Sequence, residues 1–387
     1  MPIKISQQFD AGAIEVLRAD DPSAIDLHLR QDNAADIRQW FYFRVQGARA
    51  TPLRMNFLNA GVSAYPKGWE GYQAVASYDR DHWFRVPTSY DGQVMRITHT
   101  PEVDSIYYAY FEPYSWERHL ALLDRAQRSP LVRLVDLGNT VDGRDLNMLV
   151  IGNPQAKRKV WILARQHPGE TMAEWLVEGL LEALLDNANP FGRQCLAEAA
   201  FYVVPNMNPD GSVRGNLRTN AAGANLNREW QDPSMERSPE VFLVRQKMLE
   251  TGCDLCLDMH GDEGLPYVFI AGSEAVPGFS AAQAAAQQSF IDSLLIASPD
   301  FQCRYGYGAR PFGPDTLSMA TPHIARHFGC VSLTMEMPFK DNANDPDPHT
   351  GWNGARSAML GKAMLQAILP ALRPPVATFA EQQAPVL

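Results

Sequence analysis

The sequence predicts an α/β protein in two parts: an all-β sandwich over residues 1–113, then a larger domain in which helices flank a mixed central sheet. Three observations carry this expectation. Upstream, short aromatic and β-branched runs are separated by Gly, Asp and Pro; from about Pro130 strand-like runs alternate with helical ones; and one helix falls between the two patterns. A chain of 387 residues is long enough for both parts.

In the first part the runs are Trp40 to Val45, Pro52 to Phe57 and Ser105 to Phe111. Their spacing favours a sandwich, and their aromatic residues are expected to fill its core. Residues 114–129 then form a linking helix, from Ser115 as N-cap to about Ala126. In residues 130–372, the runs Lys159 to Arg165, Cys253 to Met259 and Val331 to Glu336 read as buried strands. Thr171 to Leu185, Pro239 to Thr251, Ala282 to Leu294 and Gly354 to Leu372 read as helices. Residues 373–387, with Pro374, Pro375 and Pro385, are expected to be a flexible tail.

The chemistry concentrates in His167-Pro-Gly-Glu170 and the later His260. A His and a Glu three residues apart can face one ion from the same side of a turn. His260 closes an apolar strand, and the strand before His167 ends close by in sequence, so both sites fall where α/β sheets place ligands. Two imidazoles and one carboxylate suit zinc with a fourth position open, which is the arrangement of a catalytic rather than a structural ion. Asp258 alternates with His260 and shares its face, where it can orient the imidazole or pair with a cation. Glu336, a carboxylate in an apolar run, must be paired, sit at the strand end, or do chemistry.

Between these motifs lie Pro205-Asn-Met-Asn-Pro-Asp-Gly211, Arg214-Gly-Asn-Leu-Arg218 and Gly223-Ala-Asn-Leu-Asn-Arg-Glu-Trp230. In combination and order, these segments resemble the zinc carboxypeptidases of the carboxypeptidase A type. The resemblance implies one Zn2+ per chain held by His167, Glu170 and His260. It implies that Arg218 stabilises the oxyanion of the tetrahedral intermediate, and that Asn227 and Arg228 clamp the substrate's terminal carboxylate. Glu336 then matches the general base that takes a proton from the attacking water. The upstream segments Tyr65 to Tyr72, Ala76 to Arg80 and Trp83 to Gly92 are similar to the N-terminal domain of the cytosolic carboxypeptidase branch. The implied substrate is the C-terminus of a peptide or protein. The alternatives are a zinc amidohydrolase of small N-acyl or γ-linked amino acids and an inactive binding protein of the same fold, the latter disfavoured by the intact Glu336 and ligand set.

The chain departs from the family pattern in three places. Asn225 stands where an aspartate usually supports the first zinc histidine, which makes that histidine a less basic ligand. The tyrosine that covers the substrate in secreted relatives has no clear counterpart, because Tyr305 and Tyr307 lie farther before Glu336 than expected. Relatives that remove glutamate carry an arginine at the pocket floor. Here that region reads Leu317-Ser-Met-Ala-Thr-Pro322, with Arg310 and Arg326 as the nearest cations.

Composition points the same way. A net charge of −10 argues against nucleic-acid binding, and no apolar run reaches the roughly 18 residues of a membrane span. The first residues lack a signal-peptide layout, so the expected location is the cytoplasm. Nothing in the sequence indicates a homo-oligomer. Five cysteines, at 195, 253, 256, 303 and 330, fit unpaired thiols; Cys253-x-x-Cys256 lies in an apolar run and reads as buried rather than redox-active.

Overall fold

The computed structural model describes residues 2–308 and 311–373. Residues 374–387 of the tail expected at 373–387, and Arg310, lie outside the described residues.

The N-terminal region is two five-stranded sheets. Tyr42–Gln46 is paired on one side with Lys4–Ser6 and on the other with Ser105–Ala109, both antiparallel. In the second sheet Leu53–Phe57 lies between Ile25–His28 and Met95–His99. Along Leu53–Phe57 buried residues alternate with less buried ones, as a strand covered on one face requires. The sheets share one aromatic core. Phe41 and Phe57 meet at 4.9 Å and Phe43 stacks on Tyr108 at 5.5 Å, so the aromatic strands fill a core as expected. The linking helix, Trp116–Ala126, starts where Ser115 accepts from the Arg118 N–H.

The second region is built on one seven-stranded sheet. Its order is Val132–Asn139, Asp145–Ile151, Ala199–Val204, Arg158–Ala164, Leu255–Asp262, Val331–Pro338 and Phe269–Ala271. The middle four strands are parallel, and the pairings outside them are antiparallel. Buried on both faces, the parallel strands are almost wholly apolar up to their C-terminal ends. Leu255–Asp262 runs past His260 instead of ending on it, and His260 is the register partner of Glu336 on the neighbouring strand.

Helices Met172–Leu185 and Gly354–Leu372 cross in backbone contact. A Cβ on Gly179 would stand 2.0 Å from the Ala358 carbonyl oxygen, and one on Gly361 would stand 2.0 Å from that of Leu176. Only glycine permits this approach. The two regions are bound together by Arg85, which is buried and donates to the carbonyls of Phe339 and Trp352 at 3.0 and 2.9 Å. Tyr110 stacks on Phe339 at 4.5 Å across the same junction. No helix among the described residues is long and apolar enough to cross a membrane.

Candidate metal centre and active site

Arg158–Ala164 ends just before a sharp turn. Arg165 takes a left-handed conformation there, with φ of 60°, and its guanidinium is held by the carbonyls of Pro168 and Tyr114 and by Glu174. A buried cation in a strained backbone needs such satisfaction. The turn brings His167 and Glu170 together, the His167 Nδ1 lying 2.6 Å from Glu170 Oε1. From the neighbouring strand, His260 Nδ1 approaches Glu170 Oε2 at 2.7 Å and His167 Nδ1 at 3.2 Å. All three side chains are buried, at 2–3 % exposure.

The outer ring nitrogens have their own partners. His167 Nε2 lies 3.0 Å from Asn225 Oδ1, and His260 Nε2 lies 3.0 Å from Asp258 Oδ2. With acceptors at Nε2, both rings turn their Nδ1 atoms toward the carboxylate. Two imidazole nitrogens and a carboxylate converging on one point are a donor set that suits zinc. Asp258 therefore orients His260 rather than pairing with a distant cation. Gln166 Nε2 donates to the same Asp258 oxygen at 2.6 Å, and Trp230 Nε1 steadies Gln166 at 2.8 Å.

Glu336 is buried, and its Oε2 has no hydrogen-bond partner among the described residues. Burial pushes its carboxyl well above the usual range, and Glu170, Asp262 and Glu263 add to the rise while His260 opposes it. Its other oxygen, Oε1, accepts from the Tyr307 hydroxyl at 3.2 Å, and the same hydroxyl donates to Asp262 at 2.6 Å. Tyr307 thus reaches the site despite its distance along the chain from Glu336. Arg218 is partly buried with its guanidinium over the ring of Tyr65 at 5.6 Å, close enough to Glu263, Glu170 and Glu336 to feel their charges.

Asn227 and Arg228 are differently placed. The Asn227 Oδ1 accepts from the Ala320 N–H at 2.8 Å, and Arg228 lies exposed, one of its nitrogens donating to the Asn227 carbonyl at 2.6 Å. The Arg228 side chain is thus at the surface rather than in the interior. Arg326 is exposed on the helix Ala320–Phe328.

Two residues beside the centre carried no local sequence signal. Glu263 is buried, its Oε1 lacks a partner among the described residues, and burial followed by the Glu170 charge pushes its carboxyl up to about 8. Tyr65 comes from the N-terminal sandwich region. Each is brought in by tertiary folding alone. Cys195, Cys253, Cys256 and Cys330 are buried free thiols, with the sulfurs of Cys253 and Cys330 3.7 Å apart.

A sheet with parallel strands at its centre, a His/Glu/His cluster at their C-terminal ends and a buried glutamate beside it define a metallo-carboxypeptidase fold. Residues 5–111 match the cytosolic carboxypeptidase N-terminal domain, and residues 119–275 match the zinc carboxypeptidase family. The chain is 56 % identical to a metallo-carboxypeptidase from Burkholderia cenocepacia, with a TM-score of 0.94 over 96 % of this chain and 99 % of that one. It is 46 % identical to a metallo-carboxypeptidase from Pseudomonas aeruginosa solved in complex with (2-guanidinoethylmercapto)succinic acid, at a TM-score of 0.93 over 96 % and 100 % of the two chains. Human cytosolic carboxypeptidase 1 is 28 % identical over 287 residues, which are 62 % of this chain but 23 % of that protein. The chain belongs to the zinc carboxypeptidases, in the branch that carries the cytosolic carboxypeptidase N-terminal domain, and is a hydrolase acting on peptide bonds.

Proposed function

We propose that this protein is a zinc-dependent carboxypeptidase that removes residues from the C-terminus of peptides or proteins. The observation that carries the reading is the convergence of both Nδ1 atoms and the Glu170 carboxylate beside Glu336 Oε2, which has no hydrogen-bond partner among the described residues. His167, Glu170 and His260 hold one zinc ion, which when bound polarises a carbonyl and acidifies water. Glu336 takes a proton from the attacking water and returns it to the leaving amine. Its raised proton affinity and its location on the strand beside His260 support that role. Arg218, a permanent cation, stabilises the oxyanion.

Arg228 and Asn227 bind the terminal carboxylate. Using the Asn227 amide oxygen for Ala320 leaves its Nδ2 donors to face an anion. The Pseudomonas relative's ligand is a succinic acid, whose carboxylates fit such donors. At Leu317 to Pro322 the polar side chains are the hydroxyls of Ser318, bonded to the Asp315 carbonyl, and Thr321, bonded to that of Thr334 at 2.7 Å; with no cation in the segment, this favours a neutral or polar side chain over glutamate. A cytoplasmic location belongs to the same reading and is supported by the relatives' description as cytosolic.

A C-terminal peptide library with mass readout tests the proposal and reads the side-chain preference together. Loss of single C-terminal residues is expected. Internal cleavage, or hydrolysis confined to small amides, would overturn it.

A further inference from the structure

We propose that Asp32, in the N-terminal region, is a positioning residue for the reaction: it fixes the backbone that aims Arg218 at the reacting carbonyl. The proposal rests on the reading of Arg218 as the oxyanion-stabilising cation.

Asp32 is buried at 5 % exposure. Its Oδ1 accepts from the Leu217 N–H at 2.7 Å, and its Oδ2 accepts from the N–H groups of Arg218 and Thr219 at 2.8 and 3.0 Å. The Thr219 hydroxyl adds a fourth bond, to Oδ2 at 3.1 Å. Three consecutive backbone donors converging on one carboxylate make a charge-assisted lock on a loop that would otherwise be free to tilt. Among the described residues nothing hydrogen-bonds the Arg218 guanidinium itself, so its direction is set through its backbone, the Tyr65 ring and the charges of Glu263, Glu170 and Glu336. Neighbouring bonds hold the same loop. Asn33 and Asn216 are joined side chain to side chain at 2.6 Å, and Asn33 Nδ2 donates to the Ala221 carbonyl at 2.6 Å.

An oxyanion donor works only if it is already aimed where charge develops, and removing one costs on the order of a hundredfold in kcat or more. Loosening its mount should cost part of that. The sandwich region is then a component of the active site rather than an accessory to it.

The test is a double-mutant cycle on the full chain with zinc loaded. Asp32→Asn keeps the shape but turns an N–H2 toward backbone N–H donors. We expect kcat to fall about tenfold or more, with KM within about threefold and zinc content unchanged. In the Arg218→Ala background the same substitution should change kcat by less than about threefold, because residues acting as one unit are not additive. Multiplicative losses, or an unchanged kcat in Asp32→Asn, would overturn the proposal. An unaltered kcat in Arg218→Ala alone would instead sink the reading of Arg218, and the proposal with it.

If Asp32→Asn does not fold, Thr219→Val carries the test, since it deletes one of the four bonds and leaves the backbone donors in place. A loss of about threefold that disappears in the Arg218→Ala background supports the proposal. No loss in the native background overturns it.

Discussion

His167, Glu170 and His260 are buried, interlocked and steadied from behind by Asn225 and Asp258, whereas Arg228 is exposed on a short 3-10 turn, Leu226–Arg228. The two ends of the proposed site meet different physical demands. Ligands for a cation must be desolvated and fixed before the ion arrives, or their mutual repulsion scatters them. A receptor for an incoming carboxylate can stay hydrated and complete itself on binding, at the cost of a weaker interaction while it remains wet.

The largest expected effect attacks the rigid end. A His167→Ala, His260→Ala double variant should lose bound metal by elemental analysis, and with it at least about a thousandfold in peptide hydrolysis, since the ion supplies several kcal/mol. Metal retained at full occupancy would put the centre elsewhere. Next comes Glu336→Gln, expected to keep metal and fold while kcat drops at least about a hundredfold. Near-normal turnover would hand the proton transfer to another group.

Behind the ligands, Asp258→Asn should weaken zinc ten- to about a hundredfold in a chelator competition, because the amide no longer supports His260 as a charge. An unchanged affinity would mean that Asp258 serves the fold alone. The smallest effect belongs to the wet end. Arg228→Ala should raise KM about tenfold with kcat nearly constant, and amidating a peptide's C-terminus should cost the native enzyme a similar factor, the worth of a charge-assisted hydrogen bond. A penalty of thirtyfold or more would show that substrate closes over Arg228 and dries it, erasing the contrast. Equal cleavage of acid and amide would remove the basis for end-specific cutting.

What could be read from the chain followed from distance along it. His167 and Glu170 share a turn, and the apolar runs before His260 and Glu336 reveal two parallel strands whose register puts these residues side by side. The four long helices were legible from their apolar or amphipathic runs; Pro239–Thr251 has the bounds expected, and Ala281–Ala297 runs a few residues beyond them. The half-exposed edge strand Val132–Asn139 was not, because its polar content hides the alternation. The short helix Ala320–Phe328 escaped because it opens on a Thr-Pro and ends in basic residues. Tyr307, Glu263 and Tyr65 reach the centre through loops and an adjoining region, contacts to which local patterns are blind. The exposure of Arg228 is not in the motif either, which gives the type of side chain but not the solvent around it.

The glycine pair at the helix crossing has a mechanical consequence. Helix Met172–Leu185 begins almost at Glu170, so any change in how deeply it nests against Gly354–Leu372 is transmitted along its length to that carboxylate. One added methyl at residue 179 or 361 would have to displace backbone, lifting the helix like a wedge under a lever whose far end carries the carboxylate between the two imidazoles. Two residues with no side chain, remote from the chemistry, thereby act as the gauge block against which the His/Glu/His cluster is set.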